Sequence, residues 1–357
     1  ILALLIGVVL GTFTGLFPGI HINLVSAFLL LLFARGNFSF LAPITLVIFV
    51  VAMAITHTFI DFIPSIFLGA PSDETFLSVL PGHKMLVEGK GYEAVVVTFY
   101  GALIALPIIL IFTFIFSYFL DDVFNFVRLF IPYILLFASF YLIFREEEFL
   151  ISLSVFLFSG FLGFITFQLP VKEPLLPLLT GLFGLSGLVV SLKNKVSLPA
   201  QEISSLKSIK IEKKSFLKSS FVAAIVAPLC SFLPGIGSGH AAVFGSEIIE
   251  YKKEDNRLFL FLVGALNVIV MGLSFVTAYA IGKTRTGASA AVLELLGEIS
   301  RNDLIAIIAA VFISAIFAFF AGLYLARFFA RHIPKINYNK LSIAVIIILL
   351  IVNFFLS

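Results

Sequence analysis

Gly15-Leu16-Phe17-Pro18-Gly19-Ile20-His21-Ile22-Asn23 and Ser231-Phe232-Leu233-Pro234-Gly235-Ile236-Gly237-Ser238-Gly239-His240 say nearly the same thing 216 residues apart (234 minus 18). Each interrupts a long apolar run. Proline removes a backbone donor and glycine loosens the chain, so a Pro-Gly pair breaks a helix. In a bilayer the freed backbone groups must face protein or a cavity. Paired broken segments at corresponding positions of two halves point to a binding site at the midplane of a secondary transporter.

The rest of the chain agrees with a membrane setting. Hydrophobic residues make up 61% of the 357, charged residues 12%, and the mean hydropathy is +1.17, which leaves too little polar surface for a soluble protein of this size. Apolar runs long enough to span recur between short polar loops, so the chain reads as an all-α polytopic membrane protein rather than an outer-membrane barrel. It opens in an apolar run at Ile1, without the basic start of a cleavable signal. Cys230 is the single cysteine, which excludes an internal disulfide and a cysteine metal cage. With 44 Phe and no Trp, the interfacial belt falls to Tyr.

Membrane segments are expected at roughly 2–33 (broken at Pro18), 42–68, 94–120, 129–144, 149–167, 174–192, 219–249 (broken at Pro234), 257–281, 303–326 and 341–356. That makes about eight full spans plus two or more hairpins. Residues 193–218 carry seven lysines and read as a basic cytoplasmic linker. If both Pro-Gly segments are re-entrant hairpins, 17 of the 23 basic residues fall on the linker side and 6 on the other, as the positive-inside rule asks. Five crossings then separate the first hairpin from the linker, so the second Pro-Gly segment starts from the opposite face and the halves are inverted repeats. The expected organisation is a first repeat at 1–144, extra spans at 145–192 serving as scaffold or dimer surface, the linker at 193–218, and a second repeat at 219–357. A second matching pair supports it: Gly69-Ala70-Pro71-Ser72-Asp73-Glu74-Thr75 and Gly282-Lys283-Thr284-Arg285-Thr286-Gly287 stand 213 apart (282 minus 69).

The candidate site residues cluster on these features. The first tip offers Pro18, Gly19, His21 and Asn23, and the second Pro234, Gly235, Gly237, Ser238, Gly239 and His240. Glycines where a new helix begins leave amides exposed to an anion; alternatively they only permit close helix crossing. His57 and Asp61 share a helix face, with Asn267, Ser274 and Thr277 on the equivalent span. Asp61 would bind Na⁺ or carry a proton, or else snorkel to the interface. Ser72 in the first loop and Thr284, Arg285 and Thr286 in the second complete the set, with Arg285 the forked partner of a carboxylate or phosphate, or simply a solvent-loop cation. Pro81-Gly82-His83-Lys84 and Glu88-Gly89-Lys90-Gly91 read as turns. No HExxH, Walker loop or GxSxG occurs, and the five histidines lack zinc spacing, so the chain reads as a non-enzyme without cofactor or structural metal, Na⁺ as coupling ion apart.

Gly11-x3-Gly15-x2-Pro18-Gly19, then Ile63-Pro64 through Gly69-Ala70-Pro71-Ser72, and Pro81-Gly82-His83-Lys84-Met85 with Glu88-Gly89-Lys90-Gly91, resemble the large permease subunit of the tripartite tricarboxylate transporters, the TctA family. Leu233-Pro234-Gly235-Ile236-Gly237 repeats the opening. The resemblance implies cation-coupled uptake of small di- or tricarboxylate-like anions by an elevator-like, homodimeric protein of the prokaryotic plasma membrane. It also implies a small membrane subunit and an extracytoplasmic binding protein as partners, with membrane lipid around it and no nucleic acid. His21 and Asn23 depart from the small residues and prolines usual after the first Pro-Gly. The second tip is also similar to the Pro-Gly-x-Ser-Gly-Gly signature of polyprenyl-phosphate translocases, which makes lipid-carrier transport the alternative. An intramembrane enzyme built on His57 and Asp61 is the alternative of another class.

Overall fold

The computed structural model describes residues 1–17, 22, 25–26, 29–30, 40–69, 75–170, 178, 180–193, 199–209, 211–233, 237–249, 256–335 and 338–356. Those residues form helices and connecting segments, without a strand. In chain order the helices are α1 (Leu2–Leu16), α2 (Pro43–Ile60), α3 (Phe62–Leu68), α4 (Phe76–Val87), α5 (Gly91–Val127), α6 (Ile131–Arg145), α7 (Phe149–Thr166), α8 (Ser186–Lys193), α9 (Lys213–Phe232), α10 (Ser238–Ile249), α11 (Asn256–Ile281), α12 (Gly287–Leu296), α13 (Arg301–His332) and α14 (Tyr338–Leu356). A π-helical stretch, Thr180–Leu185, leads into α8. Among the described residues six helical segments are long and apolar enough to cross a membrane: α2 with α3, α5, α7, α9, α11 and α13. The apolar helices α6 (Ile131–Arg145) and α14 (Tyr338–Leu356) lie at two further places where spans were expected.

Local chemistry fixes the boundaries. Pro43 starts α2 with its φ already helical. Pro64 cannot donate to the carbonyl of Ile60, and the helix breaks at Asp61 between α2 and α3. Gly69 (φ 63) ends α3 and Gly282 (φ 60) follows α11, both left-handed, at the matching positions read from the sequence. Ser300 and Asp303 form a capping box on α13, whose last turn carries Arg331 and His332 against the helix dipole. One expected turn is helical instead. Pro81-Gly82-His83-Lys84 lies inside α4, because α4 packs on α3 so closely that a Cβ at Gly82 would sit 2.7 Å from Ile66 Cγ1. That burial outweighs the one hydrogen bond that proline removes.

Small residues let the helices touch backbone to backbone. A Cβ at Gly7 would lie 2.5 Å from the Phe49 carbonyl oxygen, at Gly11 2.4 Å from that of Met53, and at Gly15 3.0 Å from that of His57. The partners advance with the glycines, so α1 and α2 run in the same direction. Adding 216 to these positions gives Ala223, Ala227 and Ser231, all fully buried on α9. Phe216 meets Phe261 at 5.3 Å and Thr277 donates to the Ser231 carbonyl at 3.5 Å, so α9 and α11 also run the same way. Between them α10 returns: Gly245 sits against Val222, and Lys218 Nζ donates to the Ile249 carbonyl at 2.9 Å.

The long helices then cross-pair. Arg257 and Glu93 meet at 2.7 Å, Gly264 faces the Thr98 carbonyl and Gly272 faces Ile109, which sets α5 and α11 parallel. Gly322 abuts Ile60 and Phe329 lies 6.0 Å from Phe67, which sets α13 parallel to α2. Tyr92 bonds Arg327 while Phe99 lies 6.3 Å from Phe319, so α5 and α13 are antiparallel. It follows that α11 runs opposite to α2. Outside this core, α6 packs on α7, and α8 on α14.

The linker is strapped to the first half. Gln201 accepts from the Gly91 N–H at 2.8 Å and donates to the Leu86 carbonyl at 3.0 Å. One side chain thereby caps the end of α4 and the start of α5. Glu202 N–H adds a bond to the Gly89 carbonyl at 2.8 Å, across the expected turn where Gly89 has φ 81.

Candidate functional site

Of the residues expected to form the site, Pro18, Gly19, His21, Asn23, Ser72, Pro234 and Gly235 lie outside the described residues. The others fall in three places. The largest group gathers where α9 ends, α10 begins and the loop after α11 passes between them.

That loop is tied down by its own polar groups. Thr286 caps α12 by accepting from the Ser289 N–H at 3.1 Å. The Ser289 hydroxyl donates to the Thr286 carbonyl at 2.9 Å and accepts from the backbone N–H groups of Thr286 (3.1 Å) and Arg285 (3.3 Å). Thr286 Oγ1 also lies 3.1 Å from Ser274 Oγ, whose own proton goes to the Met271 carbonyl at 2.7 Å. Arg285 is thus fixed at its backbone. Its guanidinium Nη1–H donates to the Leu233 carbonyl at 2.5 Å, and Nη2 lies 3.8 Å from where a Cβ on Gly237 would be.

Beyond the tip, Gly237 N–H donates to His240 Nδ1 at 3.2 Å, which leaves the imidazole as an acceptor at the start of α10. Ser238 and Gly239 are buried beside it, while His240 is exposed. Beside the loop lies a cleft of about 460 Å³, lined by Phe124, Ser231, Phe232, Thr277, Lys283, Thr284 and Arg285. The structure therefore sets Gly237, at the start of the segment that carries Ser238, Gly239 and His240, beside Arg285, which Thr284 and Thr286 flank in sequence. Such a cleft, with two cations and the hydroxyls of Ser231, Thr277 and Thr284, can hold an anion.

Asp61 sits elsewhere, 4% exposed at the α2–α3 break. His57, 3% exposed, shares a 3.0 Å hydrogen bond with Thr14. Thr14 donates its own proton to the Gly11 carbonyl at 3.2 Å, so its oxygen accepts from Nδ1–H. This bond ties α1 to α2 just before the first Pro-Gly, as the Thr277–Ser231 bond ties α11 to α9 before the second. Asn267 occupies a third place, buried in the middle of α11, where its Nδ2 has no hydrogen-bond partner among the described residues.

Thr75 precedes α4 as Thr286 precedes α12. Its hydroxyl lies 2.6 Å from Ser65 Oγ, and Ser78, three residues on, donates to the Thr75 carbonyl at 2.6 Å. Sequence reading missed these serines, along with Phe124, Phe232 and the Leu233 carbonyl. The recurring Thr-x-x-Ser at 75–78 and 286–289, a capping signal, was the clue to the first group.

The family model of the tripartite tricarboxylate transporter TctA family matches residues 1–357. An uncharacterised protein of Methanocaldococcus jannaschii is 32% identical over 358 residues, covering 97% of this chain and 85% of its own length. No solved structure matches.

Proposed function

The chain belongs to the tripartite tricarboxylate transporter TctA family, a multi-pass plasma-membrane transporter family, and from that premise we propose that it moves a small organic anion with the coupled downhill flow of a cation, holding the anion between the second Pro-Gly tip and the loop of Arg285. The observation that carries this reading is the position of Arg285, which lines the cleft while its guanidinium is anchored on the Leu233 carbonyl and lies beside Gly237. An arginine held at its backbone and at one nitrogen is pre-organised to fork onto a carboxylate or phosphate.

An inverted repeat is the architecture we infer around it. Support comes from the opposed directions of α2 and α11, the matching Gly7-Gly11-Gly15 and Ala223-Ala227-Ser231 stripes, and the paired Thr–Ser contacts at Thr75 and Thr286. The antiparallel α9–α10 pair is read as a re-entrant hairpin and the first Pro-Gly segment as its counterpart. Na⁺ or H⁺ would be the coupling ion, with Asp61 and Asn267 as candidates for its path. A small membrane subunit, an extracytoplasmic binding protein and a second copy of the chain complete the proposed assembly. The enzyme alternative has less support: His57 and Asp61 are 3% and 4% exposed, buried among helices.

The test is uptake of labelled anions into sealed proteoliposomes, with inward Na⁺ and H⁺ gradients applied separately. Gradient-dependent accumulation that Arg285→Gln abolishes is the expected result. Enzyme-like turnover of an anion without accumulation would contradict it.

A further inference from the structure

The cleft lining is of two chemistries. Lys283, Thr284 and Arg285, consecutive in an irregular segment, all line it and supply two cations and a hydroxyl. Among the described residues no carboxylate pairs with the exposed Lys283. Phe124 and Phe232, from two other helices, add apolar lining. Phe232 is 8% exposed and stands edge-on to Phe116, with centroids 5.9 Å apart and planes at 76°, so its ring is fixed. Phe124, from the last turns of α5, is half-buried.

A small molecule charged on every side would set one carboxylate against rings that offer no hydrogen bond, and losing water there without a partner is costly. A molecule with its acid at one end and an apolar body at the other matches both chemistries. We propose that the cleft takes an amphiphilic anion: the acid group held by Lys283 and Arg285, the apolar body resting on Phe124 and Phe232. The proposal rests on the cleft being the substrate site. It narrows the substrate to a class that includes water-soluble aromatic acids and lipid-linked phosphates, and sets fully polar acids such as citrate below them.

Cys230 is buried in α9 and is the single cysteine, so a thiol-reactive dye reports unfolding of the whole chain directly. Melting of the purified protein in detergent would be followed against phthalate, farnesyl phosphate, citrate and the uncharged dimethyl phthalate. Phthalate or farnesyl phosphate is expected to raise the melting temperature with an apparent Kd about tenfold tighter than citrate, and dimethyl phthalate to have no effect. Phthalate acting alone identifies an aqueous acid, and farnesyl phosphate acting alone a lipid headgroup. Phe124→Ala should narrow the preference over citrate about tenfold, with Phe124→Leu, which keeps apolar volume, intermediate. Citrate binding as tightly as both, or a preference unchanged in Phe124→Leu and Phe124→Ala, overturns the amphiphilic assignment while leaving an anion site. An absence of any shift by any anion overturns the site itself.

Discussion

Arg285 donates to the carbonyl of Leu233, the last residue before Pro234-Gly235, and so joins the loop after α11 to the second broken segment. The two residues are 52 apart in sequence. Both belong to segments whose backbone departs from regular helix, where a membrane protein needs side-chain donors to satisfy carbonyls. The same guanidinium borders the cleft, so a structural bond and a ligand-binding surface share one side chain.

Replacing Arg285 by Gln should weaken anion binding by about 1.5–3 kcal/mol, or roughly tenfold to a hundredfold, the usual worth of a charge-assisted hydrogen bond. Arg285→Lys should recover only part, since an ammonium has no planar fork. Equilibrium binding of the preferred anion to the three proteins checks this; equal affinity in all three would remove Arg285 from the site.

Close helix packing predicts a sharp positional contrast. Gly11→Leu forces a side chain into the Met53 carbonyl and should destabilise the fold by about 1–3 kcal/mol or more. Gly160→Leu, on the exposed face of α7 with nothing within 4 Å of its Cβ position, should leave the melting temperature unchanged. Thermal unfolding of the two variants side by side is the measurement.

Much of this was legible in the sequence, and the reasons differ by feature. Gly69 and Gly282 announce themselves because each adopts a left-handed backbone that few other residues can. Hydropathy located the long spans for the same reason that the bilayer requires them. The α4 helix was not legible, since Pro81-Gly82 reads as a turn until Ile66 is seen to fill the space left by the missing Cβ. Nor were Phe124 and Phe232: among 44 Phe, a ring that lines a cleft has no local signature. Arg285 was named, but its bond to Leu233 depends on a tertiary contact between segments that only folding brings together.

Glu93 is nearly buried, with its side chain 10% exposed, and meets Arg257 at 2.7 Å at the start of α5 and α11. Arg257→Met should therefore cost about 3 kcal/mol or more, because it strands a carboxylate away from water. Adding Glu93→Gln should restore a large part of that loss. A double-mutant cycle on unfolding free energy decides it, and additive losses would show that the pair does not interact.

The linker strap makes a prediction outside the bilayer. Gln201→Ala removes bonds to the Gly91 N–H and the Leu86 carbonyl, so residues 199–209 should detach more often. Trypsin cutting at Lys207 should accelerate several-fold, while cutting at the exposed Arg145 should not change. Unaltered cleavage at Lys207 would mean that the linker is held by other contacts, such as the Tyr100 hydroxyl on the Leu206 carbonyl.

The central claim, that the anion binds between the second tip and the Arg285 loop, is tested most directly by sided thiol labelling. Thr284 is exposed and lines the cleft, and replacing the single native cysteine with Cys230→Ser leaves Thr284→Cys as the one reactive thiol. Its rate of modification by a charged methanethiosulfonate would be measured with and without the anion that drives uptake. The account predicts slower labelling in the presence of that anion, and loss of this protection when Arg285→Gln is added. Labelling that the transported anion does not slow would place the site elsewhere and contradict the account.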